Sequence, residues 1–295
     1  MFELVHLKGN SYYIQSPVQV GVYKLNETEV ILFDSGSDKD SAKRIKRQLD
    51  EQGWTVKTIF NTHHHADHIG GNKYMQDMYN CDIYVPGMDI HFTEESTLEA
   101  IALFGGHPFK ELHHKFLMAD SSIVKALTLE VLPDGIEIID LKGHSPCQVG
   151  YRTKDNVVYL ADAISSREIL EKYGIGYNWD IANTLDTIEY IKTLEADSFV
   201  PCHIKPLTTD EMHELAEYNS EVIKGIADKI CEFLKTPMIV DDLLQKLFEF
   251  YNMQMNVRQY VLISSTVKSY LTYLKESGRV GIKIENNKFY WEAIG

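Results

Sequence analysis

The stretch NTHHHADHIGG concentrates the chemistry of this sequence, because four of the chain's 12 histidines lie within six residues of it. His63 and His65 are two positions apart, so in extended backbone both imidazoles project to one side and His64 projects to the other. Asp67 and His68 follow as the chain turns. Imidazole nitrogens and carboxylate oxygens are ligands for zinc, iron or manganese. One short loop can therefore serve two adjacent metal ions, the first through the two spaced histidines and the second through the Asp-His pair.

Four donors are too few for two catalytic metal ions, and three later segments each offer one more. LKGHSPCQVG places His144 after a predicted strand, NVVYLADA places Asp162 at a strand end, and FVPCHIKP places His203 after another strand. Strand-to-loop edges are where α/β sheets usually build their sites. We expect His144 to join the two spaced histidines, His203 to join the Asp-His pair, and Asp162 to bridge the two ions. Open positions would remain for a shared hydroxide.

Taken in this order, the motifs resemble the signature of the metallo-β-lactamase superfamily, whose pattern is H-x-H-x-D-H. The stretch FDSG resembles the early Asp-x-Gly turn of that family, which implies that Asp34 supports a metal-binding histidine. The resemblance covers roughly residues 10–207 and implies an αβ/βα four-layer sandwich with two metals at its top edge. THHHxDHxGG is most similar to the glyoxalase II-like and lactonase-like hydrolases.

The sequence departs from the usual family pattern at three turns without losing a donor. Ala161 stands where members often have glycine before the aspartate, and Cys202 stands where they often have glycine before the late histidine. SPCQVG follows the GH pair where many members have Pro-Gly-His. The expected ligands are unaffected, and only the local turns are in question.

The resemblance implies metal-assisted hydrolysis. Bound metals lower the pKa of a shared water, so a bridging hydroxide is available near pH 7 to attack a small ester, thioester or lactone. Asp67 is expected to orient this nucleophile, and Asp34 to support a ligand histidine. Tyr173 and Tyr177 are candidates to contact the substrate, although packing in the core would explain them equally well. We expect two divalent ions, zinc foremost, with iron or manganese compatible.

The scaffold that must position these residues is predicted to be of the α/β class. LVHL, SYYIQ, VQVGVYKL and EVILFD predict strands, and SGSDKDSAKRIKRQLDEQG predicts a helix that Ser37 or Asp38 caps. VKTIFNT predicts the strand that ends at the histidine cluster. Further strand signals are ALTLEVL, IEIIDL, QVGYRT and NVVYLAD, followed by a helix at about 180–195. Alternation of strands and helices favours a layered architecture.

Two units are expected along the chain: a catalytic domain at residues 1–207 and a helical module at residues 208–295. Residues 88–121 interrupt the first unit and predict a partly helical insertion that could act as a lid. Beyond residue 208, three long helices are predicted, the third over SSTVKSYLTYLKESG, and RVGIKIENNKFYWEA predicts a hairpin around Asn286-Asn287. Three helices and a hairpin resemble a winged-helix module.

Composition narrows the class of partner. A hydrophobic content of 44% supports a substantial core, and a net charge of −14 opposes binding to a polyphosphate backbone. We therefore expect a small-molecule substrate rather than nucleic acid. The sequence predicts neither a leader peptide nor a membrane span, and four dispersed cysteines suggest free thiols in the cytoplasm. The C-terminal module is expected to form a wall of the substrate pocket or a homodimer surface.

Two other functions stay open. A winged-helix module also occurs in a branch of the superfamily that includes an endoribonuclease, so a metal-dependent phosphodiesterase or ribonuclease is the first alternative. A metal-stabilised regulatory protein that binds through the C-terminal module is the second. Oxygen-reducing diiron members of the superfamily are disfavoured, because they carry a glutamate where His65 stands.

Overall fold

The computed structural model describes residues 2–294, and its larger sheet runs in the order β1 to β7. The strands are β1 (Glu3–Lys8), β2 (Ser11–Gln15), β3 (Val20–Lys24), β4 (Glu29–Phe33), β5 (Thr55–Phe60), β6 (Asp82–Val85) and β7 (Lys125–Ala126). Strands β1 to β4 pair antiparallel, and β4 to β7 pair parallel. The parallel pairing brings the ends of β4 and β5 to one edge of the sheet. Asp34 follows β4 there, and the stretch NTHHHADHIGG, called the histidine loop below, follows β5.

A smaller sheet has the order β11-β10-β9-β8. Its strands are β8 (Ile136–Asp140), β9 (Val149–Thr153), β10 (Val157–Ala161) and β11 (Ser198–Pro201). Because β10 and β11 run parallel, Asp162 and His203 leave the sheet at the same edge. The two sheets meet through buried aromatic side chains, with Phe33 stacked on Tyr151 at a ring-centroid distance of 4.6 Å.

Helices cover the outer face of each sheet. The helices are α1 (Lys39–Asp50), α2 (Ala66–Ile69), α3 (Asn72–Tyr79), α4 (Asp89–Glu94), α5 (Thr97–Phe104), α6 (Arg167–Tyr173), α7 (Ile181–Ile191), α8 (Thr209–Phe233), α9 (Val240–Phe250) and α10 (Val257–Glu276). Ile45 and Leu49 of α1 are buried against the larger sheet, and Ile188 of α7 is buried against the smaller one. The layers therefore follow the order helix, sheet, sheet, helix, and the predicted α/β class is confirmed.

Several boundaries differ from those predicted. ALTLEVL forms strand only at its start, because Leu129–Val131 is a short 3-10 turn in which Leu129 is exposed. Helix α10 begins before the predicted SSTVKSYL segment, because the Asn256 side chain accepts hydrogen bonds from the amides of Arg258 and Gln259. Helix α6, which Ser166 caps, has no counterpart among the predicted elements.

The C-terminal residues contain α8, α9 and α10, followed by the hairpin of β12 (Val280–Glu285) and β13 (Lys288–Ala293). Asn286 and Asn287 both have positive φ, 50° and 60°, as a primed two-residue turn requires. Met212 of α8 and Tyr270 of α10 share one buried cluster with the outer face of the smaller sheet. The likeness to a winged helix stays a prediction. Among residues 2–294, no helix combines the length and the apolar character that crossing a bilayer needs.

Residues 88–121 contain α4, α5 and a short 3-10 turn at Lys110–Leu112. Leu103 and Leu112 are buried in a cluster that also contains Val261 of α10. The insertion therefore packs against α10. Whether it opens as a lid stays a prediction.

Candidate metal centre

The histidine loop leaves β5 in a defined position, because its first residues are bonded on both sides. The Tyr151 hydroxyl donates to the carbonyl of Asn61 at 2.8 Å, and the amide of Val149 donates to the carbonyl of Thr62 at 2.9 Å. The amide and the hydroxyl of Thr62 both donate to the Asp34 carboxylate, at 2.8 and 2.7 Å. Both sheets therefore hold the loop.

Three imidazoles converge beyond this anchor. Nε2 of His63 lies 3.0 Å from Nδ1 of His65, and that Nδ1 lies 2.9 Å from Nε2 of His144. A tetrahedral zinc ion with Zn–N bonds of about 2.0–2.1 Å keeps its nitrogens roughly 3.3 Å apart. The spacing suits one ion held by the three nitrogens. Gly143 permits the turn before His144, because its φ is 131° and a Cβ there would lie 2.4 Å from the amide of Thr184.

Asp162 lies between these histidines and a second group of donors. Its Oδ2 is 3.4 Å from Nε2 of His144 and 3.3 Å from Nε2 of His68. Its Oδ1 is 3.4 Å from Nε2 of His203. Asp67 Oδ2 completes the group, 3.6 Å from Nε2 of His203 and 3.9 Å from Nε2 of His68. The structure thus brings the seven predicted ligand residues together at one edge of the sandwich.

Two buried atoms of this cluster have no hydrogen-bond partner among residues 2–294, namely Nε2 of His68 and Oδ1 of Asp162. A buried polar atom is unfavourable unless something satisfies it. A lone pair on imidazole nitrogen and one on carboxylate oxygen are the donors that a divalent metal ion uses. The donor set therefore fits metal ions.

Asp34 orients one histidine of each group. It follows β4 with a φ of 66°, and its Oδ2 accepts a hydrogen bond from Nδ1 of His68 at 2.8 Å. The Thr62 hydroxyl, which donates to the same carboxylate, lies 3.0 Å from Nδ1 of His63 and is placed to accept from it. Metal-binding histidines commonly donate their second N–H in this way, which leaves Nε2 free to bind.

Backbone carbonyls orient two further histidines. The Tyr177 carbonyl lies 3.1 Å from Nδ1 of His144, and the Pro17 carbonyl lies 3.0 Å from Nδ1 of His203. The sequence points only to the side chain of Tyr177, whose ring lies 5.4 Å from the ring of His65. Neither carbonyl acceptor could be predicted, because no side-chain type marks a backbone oxygen.

The surroundings give the histidines different charge preferences. Burial and the neighbouring imidazoles hold the pKa of His63 and of His65 well below the ordinary 6.5, and burial lowers the pKa of His144. The Asp162 carboxylate raises the pKa of His203 to about 9. The pKa of His68 is also raised, because the acidic groups around it outweigh the effect of its burial. Metal ligands must be deprotonated, so three imidazoles are already in the binding form, whereas His68 and His203 must each release a proton.

Cys202 lies beside the second group without the character of a ligand. Its Sγ is 3.9 Å from Nδ1 of His68, the nitrogen that already donates to Asp34. Burial raises the pKa of the Cys202 thiol to about 12. Because the thiolate is the form that binds metal, we interpret this side chain as a small buried group.

His64 faces away from the other histidines and into the insertion. Its Nε2 lies 2.8 Å from Oε2 of Glu99, and its Nδ1 lies 3.0 Å from Oδ2 of Asp89. Burial disfavours the charged ring, but the two carboxylates outweigh this effect and raise the pKa of His64 to about 9. Asp89 and Glu99 were not predicted as partners of this loop, because only tertiary folding brings α4 and α5 beside it.

A cavity of about 500 Å³ opens over the cluster, between the insertion and α10. A second one, also of about 500 Å³, adjoins it on the side of α6 and shares several lining residues with it. Tyr177 and Tyr173 line both cavities, and Tyr173 is 45% exposed at the rim. Helix α10 contributes Arg258, Gln259 and Leu262 to the first cavity, and its N-cap residue contributes Asn256. These α10 residues were not predicted, and their only signal in the sequence is an asparagine able to cap a helix.

Comparison with known sequences adds a family match. Residues 7–203 match the family model described as Metallo-beta-lactamase superfamily. The Probable metallo-hydrolase YqgX of Bacillus subtilis is 28% identical over 173 residues, which cover 58% of this chain and 76% of that protein. The hydroxyacylglutathione hydrolase of Prochlorococcus marinus is 22% identical over 192 residues, covering 62% of this chain and 67% of the relative.

Solved structures share the fold. A metallo-beta-lactamase family protein from Thermus thermophilus has a TM-score of 0.71 at 16% identity and covers 100% of this chain and 98% of its own. A beta-lactamase domain protein from Burkholderia ambifaria has a TM-score of 0.68 at 13% identity, with 99% and 93% covered. BJP-1, a subclass B3 metallo-beta-lactamase of Bradyrhizobium japonicum, has a TM-score of 0.60 at 20% identity and covers 77% and 94%. The first two similarities therefore extend into the C-terminal helices.

Proposed function

Because the chain belongs to the metallo-β-lactamase superfamily and is a metal-dependent hydrolase, we propose that it uses two divalent metal ions to hydrolyse a small ester, thioester or lactone. The observation that carries the proposal is the position of the Asp162 carboxylate between two groups of donors, 3.3 to 3.4 Å from each. The relatives named hydroxyacylglutathione hydrolases add support, since the substrate in that name is a thioester.

We assign the ligands of the two ions as two sets that share Asp162. The first set is His63, His65 and His144, and the second is Asp67, His68 and His203. When bound, such ions acidify water and polarise a substrate oxygen, which supplies nucleophile and electrophile for hydrolysis near neutral pH. A set of imidazoles and carboxylates favours zinc and is compatible with iron or manganese.

The chain's own side chains then have separate tasks. Asp67 lies on the cavity wall, where its carboxylate can accept a hydrogen bond from the attacking water and orient it. Tyr177 and Tyr173 are proposed to contact the substrate, because both line the two adjoining cavities. A cavity of about 500 Å³ accommodates a small molecule, in line with the proposed substrate class.

We further propose that residues 208–295 form a wall of the cavity rather than a nucleic-acid-binding module. Helix α10 lines the cavity, and residues 221–295 carry 10 basic and 9 acidic side chains without a basic stripe. Fluorescence anisotropy of the full chain with a labelled DNA duplex and with a labelled RNA should show no binding that weakens with salt. Tight, salt-dependent binding would favour the nuclease or regulatory alternative instead.

Metal analysis and a substrate panel test the main proposal. Mass spectrometry of the purified protein should find about two divalent ions per chain. A thioester, a lactone, an aryl ester and bis-p-nitrophenyl phosphate should then be compared at equal concentration. Hydrolysis among the first three supports the proposal. Activity confined to the phosphodiester would replace it with the phosphodiesterase alternative, and a metal content near zero would remove the dinuclear centre.

A further inference from the structure

We propose that Asp89 is a positioning residue for the metal centre, which holds the loop of His63 and His65 and the loop of His144 at one spacing through His64 and Ser145. The inference rests on the proposed function, because it takes these histidines as metal ligands. It gives the insertion a role in the hydrolytic centre that is distinct from covering the cavity.

A single buried oxygen makes the connection. Asp89 is the first residue of α4 and is 0% exposed. Its Oδ2 accepts a hydrogen bond from the Ser145 hydroxyl at 2.8 Å and lies 3.0 Å from Nδ1 of His64. The approach to His64 is bent away from the ideal hydrogen-bond direction, so the attraction is mainly electrostatic. One atom therefore contacts chain neighbours of metal ligands in two separate loops.

His64 is also held on its other edge and on one face. Oε2 of Glu99 lies 2.8 Å from Nε2, and the Phe92 ring stacks on the imidazole at a centroid distance of 4.3 Å. Asp89, Phe92 and Glu99 all belong to the insertion. Leaving a buried carboxylate without its partner is strongly unfavourable, so the imidazole cannot rotate away from this position easily.

Fixing His64 affects the ligands because of the backbone that joins them. Side chains alternate along extended backbone, so the orientation of His64 sets the directions of His63 and His65 on the opposite side. Ser145 stands in the same relation to His144, its immediate neighbour. The ligand nitrogens lie 2.9 to 3.0 Å apart, and their convergence requires the two loops to keep their distance. Asp89 contacts both loops through a residue adjacent to a ligand in each.

Cobalt binding provides a test that does not depend on catalysis. The affinity of the full chain for Co²⁺ should be measured by competition with a chromogenic chelator, together with the visible spectrum and the thermal midpoint. Asp89→Ala should weaken Co²⁺ binding about 10- to 100-fold and change the ligand-field bands. Asp89→Asn removes the charge that attracts His64 but leaves an oxygen that can accept from the Ser145 hydroxyl, so its affinity should lie between those of Asp89→Ala and the unaltered protein. Glu94→Gln, exposed on the same helix, is the matched control and should behave as the unaltered protein.

Two results would overturn the proposal: a folded Asp89→Ala variant with unaltered Co²⁺ binding, or an Asp89→Asn variant as weak as Asp89→Ala. If Asp89→Ala does not fold, Ser145→Ala decides, and unchanged affinity and spectrum in that variant would contradict the proposal. The proposed function fails separately. If the unaltered protein binds two ions and the variants behave as expected while no ester, thioester or lactone is hydrolysed, the substrate class is wrong and the role of Asp89 stands.

Discussion

Asp67 faces the cavity as well as the proposed second ion, so its carboxylate can serve both metal binding and orientation of water. Asp67→Asn keeps the size of the side chain and removes its charge. We expect kcat to fall at least about 100-fold, measured as initial rates with the best substrate of the panel. Asp77→Asn is the control, because Asp77 is exposed on α3 and pairs with Lys73. Full activity in Asp67→Asn would remove the proposed role.

Ala161 adopts a φ of 49°, immediately before the bridging Asp162. Glycine adopts this conformation freely, whereas a β-branched residue there is an outlier. Ala161→Gly should change the free energy of unfolding by less than about 1 kcal/mol, because relief of strain offsets the greater freedom of the unfolded chain. Ala161→Val should destabilise by about 2–3 kcal/mol. Urea unfolding gives the free energy of unfolding of both variants. Equal values for Ala161→Gly and Ala161→Val would show that the backbone at residue 161 is not strained.

The expected ligands could be selected from the sequence because motif spacing and strand ends mark them. His144 and His203, for example, each follow a recognisable strand. The groups that orient them could not be selected. The carbonyls of Tyr177 and Pro17 have no side-chain signature, and Asp89 gains its place only when α4 packs beside the histidine loop.

At the scale of elements, Asp38 caps α1 by accepting a hydrogen bond from the amide of Ser41 at 2.8 Å, and this bond holds the pKa of Asp38 below its usual range. The cap therefore contributes fully to the free energy of unfolding above the unfolded pKa of Asp38, about 3.9. This contribution is lost as the pH falls through the lower pKa of Asp38 in the folded protein. Asp38→Ala should lower the free energy of unfolding by about 1 kcal/mol at pH 7, and by less at a pH below the pKa of Asp38 in the folded protein. Urea unfolding at both pH values checks this.

Asp40→Ala is the control for this prediction. Asp40 lies in the same first turn but caps no amide, and its partner is the exposed Lys43. Asp40→Ala should lower the free energy of unfolding at pH 7 by less than Asp38→Ala does. Equal decreases in the two variants would show that charge near the helix start, rather than the cap, supplies the stability.

Helix α10 places Arg258 on the cavity wall, with its guanidinium 5.3 Å from the centre of the Phe116 ring. Among the described residues that line this cavity, Arg258 carries the positive side-chain charge, and the others with formal charge are carboxylates. We expect Arg258→Ala to raise KM roughly 10-fold or more for a carboxylate-bearing thioester, since a charge-assisted hydrogen bond is lost. KM for an uncharged aryl ester should not change. Lys275→Ala, at the far end of α10, is the control, and equal effects on both substrates would contradict the prediction.

Most elements could be predicted because strands and helices carry their own periodicity. The strands around the sheet edge and the hairpin at Asn286-Asn287 are examples. The misplaced start of α10 has a physical reason. The first turn of the helix, residues 257–260, is largely exposed and has no buried apolar face, so only the cap at Asn256 marks its start. ALTLEVL alternates like a strand, but it extends past the edge where β6 can pair with it.

At the scale of the whole molecule, the proposed ligands come from both sheets and span residues 63–203, so the ions should bind the folded chain and not the unfolded one. An ion present at 100 times its Kd stabilises by about 2.7 kcal/mol. A chelator should therefore lower the thermal midpoint by about 4 °C per ion, and Zn²⁺ should restore it. Differential scanning fluorimetry measures both steps. A midpoint that the chelator does not move would contradict metal binding at this centre.

We propose that the division near residue 207 marks a change in task rather than two independent folds. Met212 of α8 is buried in the same cluster as Phe199 of β11 and Ile188 of α7. Removing residues 208–295 would expose this cluster to water. The catalytic part is therefore expected to need its C-terminal helices for stability as well as for its cavity wall.

The insertion and α10 are attached to the proposed metal centre in different ways, and this difference affects how related proteins can diverge. Asp89 and Glu99 tie the insertion to the loops that carry the proposed ligands. Within residues 2–294, by contrast, no side-chain hydrogen bond joins Arg258 or Gln259 of α10 to those loops. A lineage could therefore alter α10 from Asn256 to Leu262 and accept a new substrate while inheriting the reaction unchanged. We expect descendants of a common ancestor to differ more along that turn than at Asp89 and Glu99.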